Sequence, residues 1–140
     1  MLATVALAVM GCGSSPKPLT RAELTAKANA ICKTVTVKLA GHTIKTQSDI
    51  ARVAVELAAF EQAALNELSK LVPPAELASD WKQFIAGAQT LAENTQKLGE
   101  YAKVNNLKGA HGLIVSSQAV QKQMVTIAKR DGLTGCEQVA

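Results

Sequence analysis

Aromatic side chains are nearly absent: one Trp, one Tyr and two Phe stand among 140 residues. Histidine is as scarce, with only His42 and His111. Neither belongs to a His-x-x-x-His, Glu-x-x-His or Cys-x-x-Cys-His arrangement. That rules against a zinc-protease centre, a ferritin-like di-iron centre and c-type haem, each of which needs ligands at fixed spacing. A His–Met haem would need His111 and Met124, nearly four helical turns apart, and Met124 is read as core filler. No glycine-rich phosphate loop follows a strand and no Gly-x-Ser-x-Gly elbow is present. Ser116-Ser117 has no base nearby in sequence. Acidic residues mostly stand singly on polar faces. The chain is therefore read as non-enzymatic, with no catalytic residue, metal site or cofactor, and with its ligand-binding residues unassigned. The formal charge of +4 is a mild excess. It lacks the Arg/Lys clusters interleaved with aromatics that mark a nucleic-acid surface, so nucleic acid is not expected as a partner.

What is there is alanine and aliphatic side chain in abundance, with hydrophobic residues at 48% and few β-branched clusters, a composition that favours helix. The length suits one domain with one core. Thr20-Arg21-Ala22-Glu23 reads as a capping box opening a first helix from about Arg21 to Ala40, with Leu24, Ala28, Ile31, Val35 and Leu39 along its apolar stripe. Gly41-His42 ends it. A cap at Ser48, or at Thr46 with Asp49 three residues on, opens a second helix through about Leu71. Its broad apolar side is Ile50, Val53, Leu57, Phe60, Ala64, Leu68 and Leu71. Val72-Pro73-Pro74 stops it, and Pro74 is an entry residue for the third.

The third helix carries the clearest pattern. Leu77, Trp81, Phe84, Ala88, Leu91, Thr95, Leu98 and Ala102 recur at alternating steps of four and three, the seam of a left-handed bundle. Trp81 lies on that seam and is read as core, not as a ligand-stacking ring. After the turn Val104-Asn105-Asn106, a fourth helix from about Leu107 to Arg130 repeats the stepping with Ala110, Leu113, Ser117, Val120, Met124 and Ile127. Asp131-Gly132 caps it. Short connections make neighbouring helices antiparallel, so the expected fold is all-α: an up-down-up-down four-helix bundle. Gly87, Gly99, Gly109 and Gly112 mean either close helix approach or local kinks that leave space, and Thr95 and Ser117 on apolar seams point the same way. Plain packing is the reading preferred over a small cavity, with Ser117 a close-packing residue. Gln118, Gln121, Lys122 and Gln123 form a low-charge face that is read as solvated surface, with receipt of a partner as the alternative.

The N-terminus is different in kind. Leu2-Ala3-Thr4-Val5-Ala6-Leu7-Ala8-Val9-Met10-Gly11 is too short to span a membrane but is signal-peptide sized. With Cys12 and the tether Gly13-Ser14-Ser15-Pro16 after it, the segment resembles a bacterial lipoprotein signal. Gly11 and Val9 suit the position before such a cysteine; Met10 is bulkier than usual. No basic residue precedes Lys17, which is explained most simply by a start upstream of Met1, or by the chain being a piece of a longer one. The alternative of a buried N-terminal helix is opposed by Gly11-Cys12-Gly13-Ser14-Ser15-Pro16, which would break it. The resemblance implies diacylglycerol with palmitate-type chains on Cys12, and so a membrane partner through that lipid on the extracytoplasmic face. Residues 1–11 are the signal, 12–19 a lipidated flexible tether and 20–140 the helical domain.

With Cys12 lipidated, Cys32 and Cys136 remain as an even pair in an oxidising compartment, which reads as a disulfide between the first helix and the C-terminal tail. Cys32 lies roughly 16 Å along the first helix and four extended tail residues reach some 13 Å, so the two can meet.

The ends of the domain also carry a likeness. Leu19-Thr20-Arg21-Ala22-Glu23, Ala28-Asn29-Ala30-Ile31-Cys32-Lys33 and Gly132-Leu133-Thr134-Gly135-Cys136 resemble small alanine-rich lipoproteins and secreted proteins of actinobacteria. That resemblance implies a Gram-positive cell-surface lipoprotein and the same cysteine pairing, and it implies no activity. The functional expectation is a lipid-anchored, non-enzymatic interaction or envelope-associated module. The alternative is a carrier holding a small apolar ligand between the third and fourth helices, which would need a contiguous apolar cavity above roughly 300 Å³.

Overall fold

The computed structural model describes residues 16–138; the signal region and Cys12 lie outside the described residues. Four helices follow one another: α1 (Arg21–Ala40), α2 (Gln47–Ser69), α3 (Ala78–Lys103) and α4 (Leu107–Asp131). Two single 3-10 turns, Ala75–Leu77 and Thr134–Cys136, complete the order. The domain is an all-α bundle of antiparallel neighbours. None of the described helices is long and apolar enough to cross a membrane.

The caps form as local chemistry dictates. Glu23 Oε2 accepts the Thr20 N–H at 2.8 Å while Thr20 Oγ1 accepts the Glu23 N–H at 3.3 Å. At α2 the cap is Thr46, not Ser48. Thr46 is extended, its hydroxyl accepts from the Asp49 N–H at 3.1 Å, and Asp49 accepts from the N–H groups of Lys45 and Thr46. Each box satisfies free donors at both ends of its own exchange. α2 stops at Ser69, two residues before the sequence-based end. Ahead of the proline pair its last turn tightens, with the Leu71 N–H donating to Leu68 C=O at 3.0 Å. Pro74 then leads into the 3-10 turn and not directly into α3, the Leu77 N–H reaching Pro74 C=O at 3.0 Å. Asn106 caps α4 by accepting the Gly109 N–H at 2.9 Å.

The α3 seam packs as its stepping predicts: Leu77, Trp81, Phe84, Leu91 and Ala102 are buried, and Ala88, Thr95 and Leu98 half-buried. Trp81 and Phe84 stack at 5.8 Å between ring centroids. α1 buries Leu24, Ala28, Cys32 and Val35; the Leu39 side chain lies outside what is described. α4 buries only its C-terminal half, through Met124, Ile127, Ala128 and Asp131.

α2 departs from the sequence reading. Phe60, placed above on its apolar side, is 36% exposed and lies under the Lys38 ammonium, 5.1 Å from the ring centroid. Elsewhere that side packs as read: Val53 and Leu68 are buried, and Ile50, Leu57, Ala64 and Leu71 half-buried. Beside it a second inward row runs through Ala51, Ala54, Ala58, Glu61 and Leu65. Small residues lead this second row. A Cβ built on Gly99 of α3 would sit 3.2 Å from the Ala54 Cβ, so the two backbones approach closely along an alanine face. Close approach, and not a kink, is what Gly99 provides.

α3 packs extensively on both α2 and α4, whereas α1 lies along α2 and meets the C-terminal turn; its packing on α4 is slight. The disulfide therefore closes the ring. Cys32 and Cys136 are bonded, with Cα atoms 4.9 Å apart and both residues buried. Asn29 clamps the same tail. Its Nδ2 donates to Gly132 C=O at 3.3 Å and its Oδ1 accepts the Gly135 N–H at 2.9 Å. Gly132 ends α4 in the left-handed region at φ 79°. A Cβ on Gly135 would fall 2.7 Å from the Asn29 carbonyl oxygen, so the tail can lie this close only without a side chain there. Ala-Asn-Ala-Ile-Cys and Gly-Leu-Thr-Gly-Cys are thus the two halves of one docking unit.

Candidate functional site

Three helices interrupt their apolar seams with polar residues, and the interruptions meet. Glu61 comes from α2, Asn94 and Thr95 from α3, and Ser117 from α4; all four line one cleft of about 260 Å³. Its walls are Leu91, Leu98, Leu113 and Ile114, and Gln118 and Gln121 stand at the α4 edge. Asn94 Nδ2 donates to Ser117 Oγ at 2.9 Å, tying α3 to α4 at this level. The cleft is partly open to solvent.

Glu61 sits between two spaces. On one side is the cleft; on the other is a small, partly open pocket of about 40 Å³ bordered by Cys32, Val35, Phe84, Leu91 and Met124. That volume suits about two or three water molecules. Glu61 Oε2 is buried and has no hydrogen-bond partner among the described residues. Burial pushes its carboxyl above the usual 4.5, and the Thr95 hydroxyl offsets part of that rise. Sequence periodicity overlooked Glu61 because Phe60 beside it carried the stronger apolar signal. The step from Ala54 to Ala58, Glu61, Leu65 and Leu68 was the pattern that could have found it.

This burial has a consequence for stability. A carboxyl that holds its proton more tightly folded than unfolded contributes stability fully below its unfolded pKa, and loses it as pH rises through the folded value. Glu23 and Asp49 act oppositely. The Thr20 backbone N–H, then its hydroxyl, lowers Glu23; the Thr46 hydroxyl, then the Lys45 and Thr46 N–H groups, lower Asp49. Their contributions fade as pH falls. Glu61→Met removes the one opposing group. Relative to the parent it should gain about 1–3 kcal/mol near neutral pH and little at about pH 4, by urea denaturation at both. A gain that did not vary with pH would show that the charge of Glu61 is not its cause.

The other residues singled out from sequence fall as follows. Met124 and Trp81 are buried in the core. His42 Nε2 lies 3.7 Å from Glu56 Oε2, and His111 is exposed on α4. Among the described residues no group of three His, Cys, Asp or Glu side chains is gathered at one point. The α4 polar face divides: Gln118 and Gln121 turn to the cleft, while Gln123 reaches α3, its Nε2 donating to Gln83 Oε1 at 3.3 Å.

Fold and site define a disulfide-closed four-helix domain with a polar layer across α2, α3 and α4 and a buried Asp131 at the end of α4. Comparison with protein-family models, with curated proteins and with solved structures finds no match for this chain.

Proposed function

We propose that the chain is a lipid-anchored, extracytoplasmic helical module of the actinobacterial cell-surface type, which works by contact with an envelope partner and not by catalysis. The observation that carries this reading is where the four most exposed large apolar side chains lie; Val55, Phe60, Ile114 and Val115, less exposed, lie along α2 and α4. Val37 at the end of α1, Ile44 in the loop that follows, and Val104 and Leu107 at the α3–α4 turn are 55–72% exposed. Topology puts all four at one end of the bundle.

The N-terminal segment leaves from the opposite end. The Leu19 N–H donates to Val72 C=O at 2.9 Å, which fixes the start of the domain beside the α2–α3 turn. A lipid on Cys12 would hold that end toward the membrane and turn the apolar end outward. α1 alone, at 20 residues, separates the two by roughly 30 Å. Two acyl chains make such an anchor durable where one would bind only marginally.

The carrier alternative finds less support. The small pocket of about 40 Å³ falls far below the roughly 300 Å³ a ligand pocket needs. The cleft between α3 and α4 is smaller than that bound and half polar. A largely apolar groove of about 440 Å³ beside Phe60 and Lys38 lies between α1 and α2 and opens to solvent.

The anchor is tested by expressing the parent and Cys12→Ser in a bacterial host. The parent should carry added diacylglyceryl mass and fractionate with membranes, and the variant should do neither. Equal mass and equal fractionation would reject lipidation. For the outer end, Val104→Asp with Leu107→Asp should leave the unfolding free energy within about 0.5 kcal/mol while abolishing site-specific photocrosslinking from position 111 on intact cells. Unchanged crosslinking would move the contact elsewhere.

A further inference from the structure

We propose that the cleft floored by Glu61 binds a small organic ammonium ion carrying a short apolar chain. The inference goes beyond the anchoring role and does not depend on it. Every polar side chain lining this space can accept a hydrogen bond: the carboxylate of Glu61, the hydroxyls of Thr95 and Ser117, and the amide oxygens of Asn94, Gln118 and Gln121. No lysine, arginine or histidine lines either the cleft or the pocket behind it. An anion would meet a carboxylate and no compensating cation. A cation would meet the opposite charge of the Glu61 carboxylate, whose Oε2 is buried without a hydrogen-bond partner among the described residues.

The class of cation follows from the remaining lining. A hard divalent metal ion wants several carboxylate or carbonyl oxygens in a fixed shell, and Glu61 is the one carboxylate here. An alkylammonium head instead brings three N–H donors on a compact charge. Its chain has Leu98, Leu113 and Ile114 to lie against. At about 260 Å³ the cleft falls just under the range of drug-sized sites, so the guest is small.

Burial also links occupancy to ionisation. Of the elements around Glu61, α1 presents Cys32 and Val35, α3 Ala88, Leu91, Asn94, Thr95 and Leu98, and α4 Ser117, Gln121 and Met124, all uncharged. Glu61 is alone in supplying charge. A guest that pairs only with the ionised form is taken up more tightly as pH rises through the Glu61 pKa, and its binding holds that carboxyl ionised.

The test is calorimetric titration of the full chain with n-butylammonium, and with 1-butanol as the uncharged analogue of equal length. Parent and Glu61→Gln are compared, each first shown folded by circular dichroism. Butylammonium should bind the parent and lose roughly tenfold to a hundredfold in affinity on Glu61→Gln. It should weaken similarly in the parent on acidification below the Glu61 pKa, while 1-butanol should not distinguish the two proteins. Equal affinity for parent and variant, or no heat from the parent at tens of millimolar amine, would overturn the proposal and leave the polar layer as a hydrated device for helix register. Because the measurement needs neither lipid nor partner, its failure leaves the anchoring role untouched, and the Cys12→Ser result does not bear on it.

Discussion

Replacing Cys32 and Cys136 together by alanine should lower the unfolding free energy by about 2–5 kcal/mol. The bond joins residues 104 apart, and in the chain-entropy description closing a loop of about 100 residues is worth about 4.7 kcal/mol. Typical domains of this size are stable by only about 5–15 kcal/mol, so the loss is a large fraction of the whole. The topology sharpens the expectation. α1 packs slightly on α4, so the disulfide, the two Asn29 hydrogen bonds and the burial of Leu24 and Ala28 with Leu133 tie the first helix to the C-terminus. Urea denaturation of oxidised parent and double variant measures the loss. The variant should also unfold with a steeper slope, since its denatured chain is no longer held compact by the loop. A loss below about 1 kcal/mol would show that burial of Leu24, Ala28 and Leu133 holds α1 in place unaided.

Phe84→Ala should cost about 3–5 kcal/mol. Phe84 is 1% exposed, stacks on Trp81 and borders the small pocket beside Glu61. Truncation removes a ring from the centre of the core and joins its volume to space already present, so neighbours on four helices would have to move together to refill it. Thermal and urea unfolding of parent and variant give the figure. A cost under about 1.5 kcal/mol would mean that the core collapses around the missing ring, as loosely packed sites do. The same variant bears on ligand carriage. Engineered apolar cavities take up benzene-sized guests, and a rise in the variant's midpoint with such a guest, absent in the parent, would show that the native interior is too small to carry one.

Much of this molecule is legible in its sequence because much of it is local. Thr20 and Glu23, and Thr46 and Asp49, are three residues apart and close their boxes without help from the rest of the chain. Val72-Pro73-Pro74 ends α2 through backbone sterics alone. The α3 seam repeats over seven turns with large side chains, so its buried face is unmistakable. Cysteine parity named Cys32 and Cys136 as partners, and the fold unites them. The cap at Gly132 was legible, but the clamp of Asn29 on Gly132 and Gly135 was not, since these residues act on one another across more than a hundred residues.

The rotation of α2 was decided only in three dimensions. Phe60 and Glu61 are neighbours, about 100° apart on the helix, and hydrophobicity favoured turning Phe60 inward. In the fold α2 meets α3 closely through Ala51 and Ala54 at Gly99, and Phe60 is left at the surface while Val53 stays buried. Small side chains give almost no periodic signal, yet they set how near two helices come and therefore which residues face the core. The order of helices, their caps and the cysteine pairing were thus determined by the sequence read alone, through contacts within a turn or by counting. The exposed Phe60, the gap between α1 and α4, and the meeting of Glu61, Thr95 and Ser117 came only from tertiary packing. Each depends on the relative rotation of helices whose contacting residues lie far apart along the chain.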